Sequence, residues 1–535
     1  MYRKLLHSEI KTINSAAYIL AGASLISGLL GVFRDHLLFG SFGAGRELDI
    51  YYTAFRIPDF VSMVLVMGAI SAAIIPIFSG YLAKSKEEAW NYFSNLLNVF
   101  LISLIAISVI LIIFVPQILL LIAPGFSEET RNATVELTRI MFLSPILLGI
   151  SNILSGVLRV FKRFLVTSIA PILYNIGIII GIVFFAPTMG LKGLAWGVVL
   201  GAFLHLLIQL PALFKLGFVF KRKVKLSDPG ILRTIKLTIP RAIGLAAGQI
   251  NLIVITAIAS TLAVGSISIF NGASNLQNLP ITLIAVSFST AAFPFLSLHF
   301  ARKEKEKLVQ EFSNVFRKIL FFILPIGALI FLLRIQIIRV AYGTGRFDWT
   351  DTQLTAACLG IFSLGIFAYA LSMLVSKTFY AFQNTRIPAM VTLATVALNV
   401  TLCYFFIQVL NSNNVFQRFI INFLDLDKIE QNSVIGLPLA LVVSGIFQLI
   451  VLLILLKKTI GDFKCKEIGE AVLKILASTV LLSLACYFVR QLTASYVNMN
   501  SFIGIFTQAL LASLAGIAVY LVSTVILNRS EGSRD

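Results

Sequence analysis

The chain has 535 residues, of which 58% are hydrophobic and 13% charged, and it carries a net charge of +19 from 43 Lys+Arg against 24 Asp+Glu. Soluble domains carry about 25% charged residues, so roughly half the expected charge is missing and a water-soluble multidomain protein is excluded. The basic excess sits in short loops between apolar runs, which points to lipid headgroups and not to nucleic acid.

Apolar runs of about 18–25 residues, each able to cross a hydrocarbon core of ~30 Å, recur from end to end. In chain order they predict helical spans at Ile13–Phe33, Ile57–Phe78, Phe93–Val115, Val135–Leu158, Phe164–Phe185 and Leu194–Leu213. The series continues with Ile239–Val264, Leu279–Leu296, Ile319–Leu333, Leu354–Phe379, Ile387–Val409 and Val434–Leu456, then Ile468–Val489 and Phe502–Leu527. The fold expected is an all-α integral membrane protein of about fourteen spans. Arg3, Lys4 and Lys11 ahead of the first span, with no small-residue cleavage site at a suitable distance, read as a retained signal anchor.

Loops after even-numbered spans hold Lys84/Lys86, Arg159/Lys162/Arg163, Lys221/Arg222/Lys223/Lys225, Arg302/Lys303/Lys305/Lys307 and Lys457/Lys458/Lys464/Lys466. Loops after odd-numbered spans are poorer in base or balanced. The positive-inside rule then puts both termini in the cytoplasm, as an even span count also requires.

The sequence repeats itself. Pro76-Ile-Phe-Ser and Phe93-Ser-Asn95 are echoed by Pro294-Phe-Leu-Ser and Phe312-Ser-Asn314. Pro124-Gly-Phe-Ser is matched by Thr344-Gly-Arg-Phe-Asp, and Asn175 in the fifth span by Asn399 in the eleventh. Four marks at one near-constant offset imply two six-span lobes. An even number of spans per copy gives them the same orientation, as in transporters with parallel repeats that enclose a midplane cavity. The expected organisation is residues 1–220 as an N-terminal lobe, 221–460 as a C-terminal lobe, and 461–535 as two added spans with a short tail.

Charges within spans cost roughly 2.5–3.5 kcal/mol each, so each needs a reason. The first hairpin is densest, with Arg34, Asp35, Arg46, Asp49, Arg56 and Asp59. These groups form either a polar wall facing the cavity or helix-end pairs that snorkel to the interface. Arg241, Gln249 and Asn251 in the seventh span, and Asn275 among the amides of the eighth, face the interior to line the cavity or to bond neighbouring helices. Asn175 and Asn399 brace helix packing or touch substrate. Glu136 and Arg139, three apart, suggest a local ion pair, while Pro58 and Pro280 shape helices. Four scattered histidines and four cysteines without metal spacing predict neither a metal nor a cofactor, and no phosphate-binding loop supports an ATP-driven pump.

The run Ser27-Gly-Leu-Leu-Gly-Val-Phe-Arg34-Asp35, followed by Gly43-Ala-Gly45, Asp49, Ala54-Phe-Arg56-Ile-Pro58, Gly68-Ala69 and Pro76, resembles the opening signature of the MurJ/MviN family. Pro240-Arg241 with Gln249-Ile-Asn251, and Leu276–Pro280 followed by Pro294, extend the likeness. These are lipid II flippases of the multidrug/oligosaccharidyl-lipid/polysaccharide exporter superfamily. The resemblance implies a transporter and not an enzyme. It would turn an undecaprenyl-diphosphate-linked saccharide from the inner to the outer leaflet of the bacterial cytoplasmic membrane by alternating access. Coupling would be to membrane potential or a monovalent cation, with bilayer lipids and cell-wall synthesis enzymes as partners. Substrate contacts would fall on Ser27, Arg34, Asp49, Arg56, Arg241, Gln249, Asn251 and Asn275. The family usually has arginines where this chain has Gly28, Ser62 and Asn275, and an acid at Met67. The headgroup therefore stays open. Another polyprenyl-linked saccharide, a cation-coupled drug exporter and a non-transporting scaffold are the alternative readings.

Overall fold

The computed structural model describes residues 13–67, 74–426, 429, 431–499 and 501–529. The basic residues of the expected signal anchor, Arg3, Lys4 and Lys11, lie outside this set. Among the described residues every regular element is a helix or helical turn. Twelve of these helices are long and apolar enough to cross a membrane. The expected second span lies partly outside the described residues, and the seventh, within Pro229–Ser260, carries a shorter apolar stretch at Leu245–Ser260.

Helix starts follow local chemistry. Ser85 accepts hydrogen bonds from the Glu87 and Glu88 amides at the head of Lys86–Ile122. Asp228 accepts from Gly230 and Ile231, with Pro229 in the first turn, where its missing N–H costs nothing. Asp348 and Asp351 form a reciprocal capping box before Trp349–Ala381. Several helices run beyond their apolar cores to reach these caps.

Two short helices were not apparent as apolar runs. Arg334–Tyr342 follows the ninth span and Val415–Leu424 follows the eleventh. Val415–Leu424 exposes Phe416, Phe419 and Phe423 on one side while burying Ile420 and Leu424. The second, fifth and eighth spans are interrupted by π-helical turns at Ser62–Met67, Gly181–Phe185 and Ile281–Val286. The last of these follows Pro280 directly.

The chain divides into two compact units. The first contains the residues up to Leu38 together with Gly45–Ile267, and the second contains Phe39–Ala44 and Ser268 onward. Within the first unit, helices Phe164–Ile180 and Leu191–Leu207 approach backbone to backbone. A Cβ on Gly177 would strike the Gly201 backbone, and one on Gly181 would strike Gly197. Small residues at four-residue spacing allow this contact, which van der Waals packing drives where no water is displaced. An aromatic cluster of Phe78, Trp90, Phe93, Phe161 and Phe218 consolidates one end of the unit. Glu136 pairs with Lys192 at 2.6 Å and so joins two helices, where the sequence suggested a pair with Arg139.

Within the second unit, Trp349–Ala381 is the most buried span and packs on Lys305–Leu332 and Gly436–Ile460. Helices Cys465–Ala494 and Phe502–Arg529 pair with each other and dock on Lys305–Leu332. Tyr520 donates to the Phe321 carbonyl at 2.7 Å, Arg490 to the Leu332 carbonyl at 2.8 Å, and Gln336 to Gln508 at 3.0 Å. Large apolar side chains such as Leu121, Phe184 and Ile503 stand on the outer surface, as lipid contact requires.

Candidate functional site

Helix Ile13–Phe42 carries Ser27 and Arg34 seven residues apart, two turns along one face. Helix Phe164–Ile180 presents Asn175 to that face. Asn175 donates to the Ser27 carbonyl (3.2 Å) and hydroxyl (3.3 Å), and its own oxygen accepts from Arg34 Nη1 at 3.1 Å. Arg34 also donates through Nε and Nη2 to Asp35 Oδ1, at 2.9 and 2.7 Å. Asp35 is 3% exposed. The carboxylate and the amide thus hold the guanidinium in one orientation. Three of its five N–H donors are engaged in this way. The Arg34 side chain keeps 22% of its surface exposed.

Helix Arg46–Val61 supplies the second cation. Arg56 donates to Thr256 Oγ1 at 2.7 Å, which fixes it against helix Pro229–Ser260. Tyr51, Tyr52 and Asp59 on the same helix, and Tyr174 beside Asn175, lie within electrostatic reach of Arg34. The first unit therefore gathers Ser27, Arg34, Asp35, Arg56, Asp59 and Asn175, together with three tyrosines that the sequence analysis did not single out. The tandem Tyr51-Tyr52 within a polar hairpin was the available signal. Tyr51 is buried with its ring packed edge-on against Tyr52 and Phe55, and the Tyr52 hydroxyl is shielded, so these phenols pack around the arginine.

The other expected residues are placed differently. Asp49 is buried and accepts a 2.7 Å hydrogen bond from the Gly265 amide, so it fastens the turn after helix Pro229–Ser260. Gly265 has φ +92°, a backbone that glycine adopts without strain. Gln249 and Asn251 are half-buried on that same helix, and the Asn251 side-chain oxygen is shielded without a hydrogen-bond partner among the described residues. The side chains of Arg241 and Met67 lie outside the described residues. Pro58 is buried inside helix Arg46–Val61.

Asn275 belongs to the second unit and is half-buried. Asn399, also in the second unit, donates to Ser444 at 3.3 Å. The two duplicated asparagines thus do different work, since one bonds an arginine and the other a hydroxyl. No group of histidines, cysteines or carboxylates among the described residues is arranged to hold a metal ion.

A family model described as "Lipid II flippase MurJ" matches residues 40–507. The chain is 31% identical over 381 residues to a "Probable lipid II flippase MurJ" of Buchnera aphidicola subsp. Acyrthosiphon pisum, covering 70% of this chain and 75% of that one. It is 26% identical over 404 residues to the "Lipid II flippase MurJ" of Burkholderia cenocepacia, covering 74% and 78%. A solved structure titled "Lipid II flippase MurJ, inward closed conformation" superposes with a TM-score of 0.77 at 26% identity, covering 96% of this chain and 99% of that one. An inward-facing multidrug transporter of the MATE family matches at a TM-score of 0.67 and 15% identity, over 82% of this chain and 95% of its own, and shares the fold. By family match, sequence relatives and structure together, the chain belongs to the MurJ family of lipid II flippases.

Proposed function

We propose that the protein turns lipid II, an undecaprenyl-diphosphate-linked muropeptide, from the inner to the outer leaflet of the cytoplasmic membrane. The observation that carries this reading is Arg34, a guanidinium inside a membrane span, braced by Asp35 and Asn175 with part of its side chain exposed. A pre-oriented guanidinium matches phosphate oxygens in geometry and charge. Arg56 adds a second positive charge. Gln249 and Asn251 extend the proposed polar lining.

The duplication supports alternating access by two six-span halves, residues 1–220 and 221–460, with residues 461–535 an addition. The charge bias of the loops supports cytoplasmic termini. An inside-negative potential would favour outward movement of an anion by about 2.3 kcal/mol per charge per 100 mV, so potential can drive the cycle, with or without a coupled monovalent cation. Cell-wall synthesis enzymes are the expected consumers on the far side.

A second reading, a flippase for a different polyprenyl-linked saccharide, is favoured by Gly28, Ser62 and Asn275, which lack the positive charge usual in the family. Native mass spectrometry of the purified protein tests both. Co-purifying lipid with the mass of lipid II supports the first reading, a polyprenyl diphosphate bearing another saccharide supports the second, and absence of any polyprenyl lipid contradicts both.

A further inference from the structure

Helix Val415–Leu424, which joins the eleventh and twelfth spans, divides its surface three ways. At ~100° per residue, Val415, Phe416, Phe419 and Phe423 fall in one sector about 100° wide. All four are exposed, Val415 at 84% and Phe419 at 59%. The next sector holds Ile420 and Leu424, both buried against the second unit. The third holds Arg418 and Asn422, polar and exposed. A surface helix in water needs only a buried face and a polar one. A third face, apolar and open, fits a helix lying where protein, hydrocarbon and water meet.

The placement of this helix is fixed at both ends. Asn414 accepts from the Gln417 amide at 2.8 Å and donates to the Val409 carbonyl at 2.6 Å, which turns the chain sharply off the end of Arg386–Asn411. Gln417 reaches back to the Leu410 carbonyl at 2.8 Å. At the far end Asp425 takes a left-handed backbone, φ +59°, and accepts from Arg334 at 3.3 Å. The open apolar face continues the lipid-facing surface of the spans. Phe406, near the end of Arg386–Asn411, stacks on Phe416 at 6.1 Å, and its neighbours Tyr404 and Phe405 are exposed. Phe331, at the end of Lys305–Leu332, packs on Phe423 at 5.4 Å. Aromatic rings gathered at span ends are typical of the membrane–water boundary. Both of these spans are odd-numbered, so by the charge bias of the loops their ends lie on the outer side.

We infer that helix Val415–Leu424 is an interfacial anchor lying in the outer leaflet. It buries Val415, Phe419 and Phe423 among acyl carbons and turns Arg418 and Asn422 to the aqueous headgroup layer. The contact is apolar and needs no anionic headgroup. It belongs to the second unit and does not depend on the flippase reading.

The test attaches a nitroxide spin label to single cysteines of the full chain in phosphatidylcholine liposomes. The background is Cys465→Ser, because the other three cysteines are buried. Collision with oxygen, which concentrates among acyl chains, is compared with collision with a water-soluble nickel chelate. Phe419→Cys should give an oxygen-to-nickel ratio at least about threefold above Arg418→Cys, as a face sunk in the acyl boundary requires. Val415→Cys keeps every ring of the helix in place and should also read as lipid-facing, so the result does not hang on the loss of Phe419. Equal nickel access at positions 415, 418 and 419 would put the apolar face in water and overturn the inference. Shielding of 415 and 419 from both agents would overturn it too. Spin–spin broadening relieved by dilution with unlabelled protein would then assign the face to a second copy of the chain.

Discussion

Arg34 is the residue on which the account bears most weight, and its removal has a predictable two-part signature. Arg34→Ala takes from Asp35, which is 3% exposed, the two hydrogen bonds that the guanidinium donates at 2.7 and 2.9 Å. Breaking a buried ion pair from one side costs about 3–5 kcal/mol, because the remaining charge is left uncompensated. Arg34 keeps 22% of its side chain exposed, which places the expected cost near the lower end, about 3 kcal/mol. Arg34→Ala/Asp35→Ala takes away the buried carboxylate as well and should restore most of that loss. Transport should not return, because the phosphate contact is gone in both variants. Denaturant unfolding in detergent for the four proteins of the cycle gives the coupling energy, and complementation of a flippase-depleted strain gives the activity. If Arg34→Ala unfolds like the parent, the buried-pair argument fails. If the double variant regains transport, Arg34 is a structural residue and no phosphate ligand.

Three further outcomes follow from the geometry. Gly201→Leu, which drives a side chain into the Tyr174 backbone across this close helix pair, should destabilise by about 1–3 kcal/mol; an unchanged unfolding midpoint would show that the helices can part cheaply. Asn399→Ala removes a single interhelical hydrogen bond to Ser444 and should cost only about 0.6 kcal/mol with transport retained, whereas Asn175→Ala removes its bonds to Ser27 and Arg34 and should impair transport at a larger stability cost. The Glu304 carboxyl is held below its ordinary 4.5 by hydrogen bonds with His299 at 2.8 Å and Lys307 at 3.2 Å. Its contribution is therefore present above 4.5 and lost as pH falls through the lowered value. Melting of Glu304→Gln should then fall below the parent at neutral pH and converge with it in acid; a constant gap across pH would contradict this.

Hydropathy made the spans legible because lipid leaves few charges in a crossing helix, and the loop charges followed from the same constraint. The two short helices were hidden because Arg334–Tyr342 mixes polar with apolar residues, and Val415–Leu424, though apolar, is only ten residues long, too short for a window built for spans. The π-helical turns leave no hydropathy mark at all. Among site residues, Arg34 and Asn175 stood out singly, but nothing in the chain pattern linked residues 141 apart. Asp49 shows the converse. Its charge within the first hairpin suggested substrate, while its partner is a backbone amide 216 residues away. Periodicity tells which face a side chain occupies, and the partner that face meets is decided by packing.

The most direct test places the purified protein in liposomes with labelled lipid II in one leaflet and follows its appearance in the other. The account predicts movement faster than in protein-free liposomes, abolished in Arg34→Gln and accelerated by a potential negative on the side where the diphosphate starts. Movement no faster than in protein-free liposomes, or equally fast with Arg34→Gln, would contradict it.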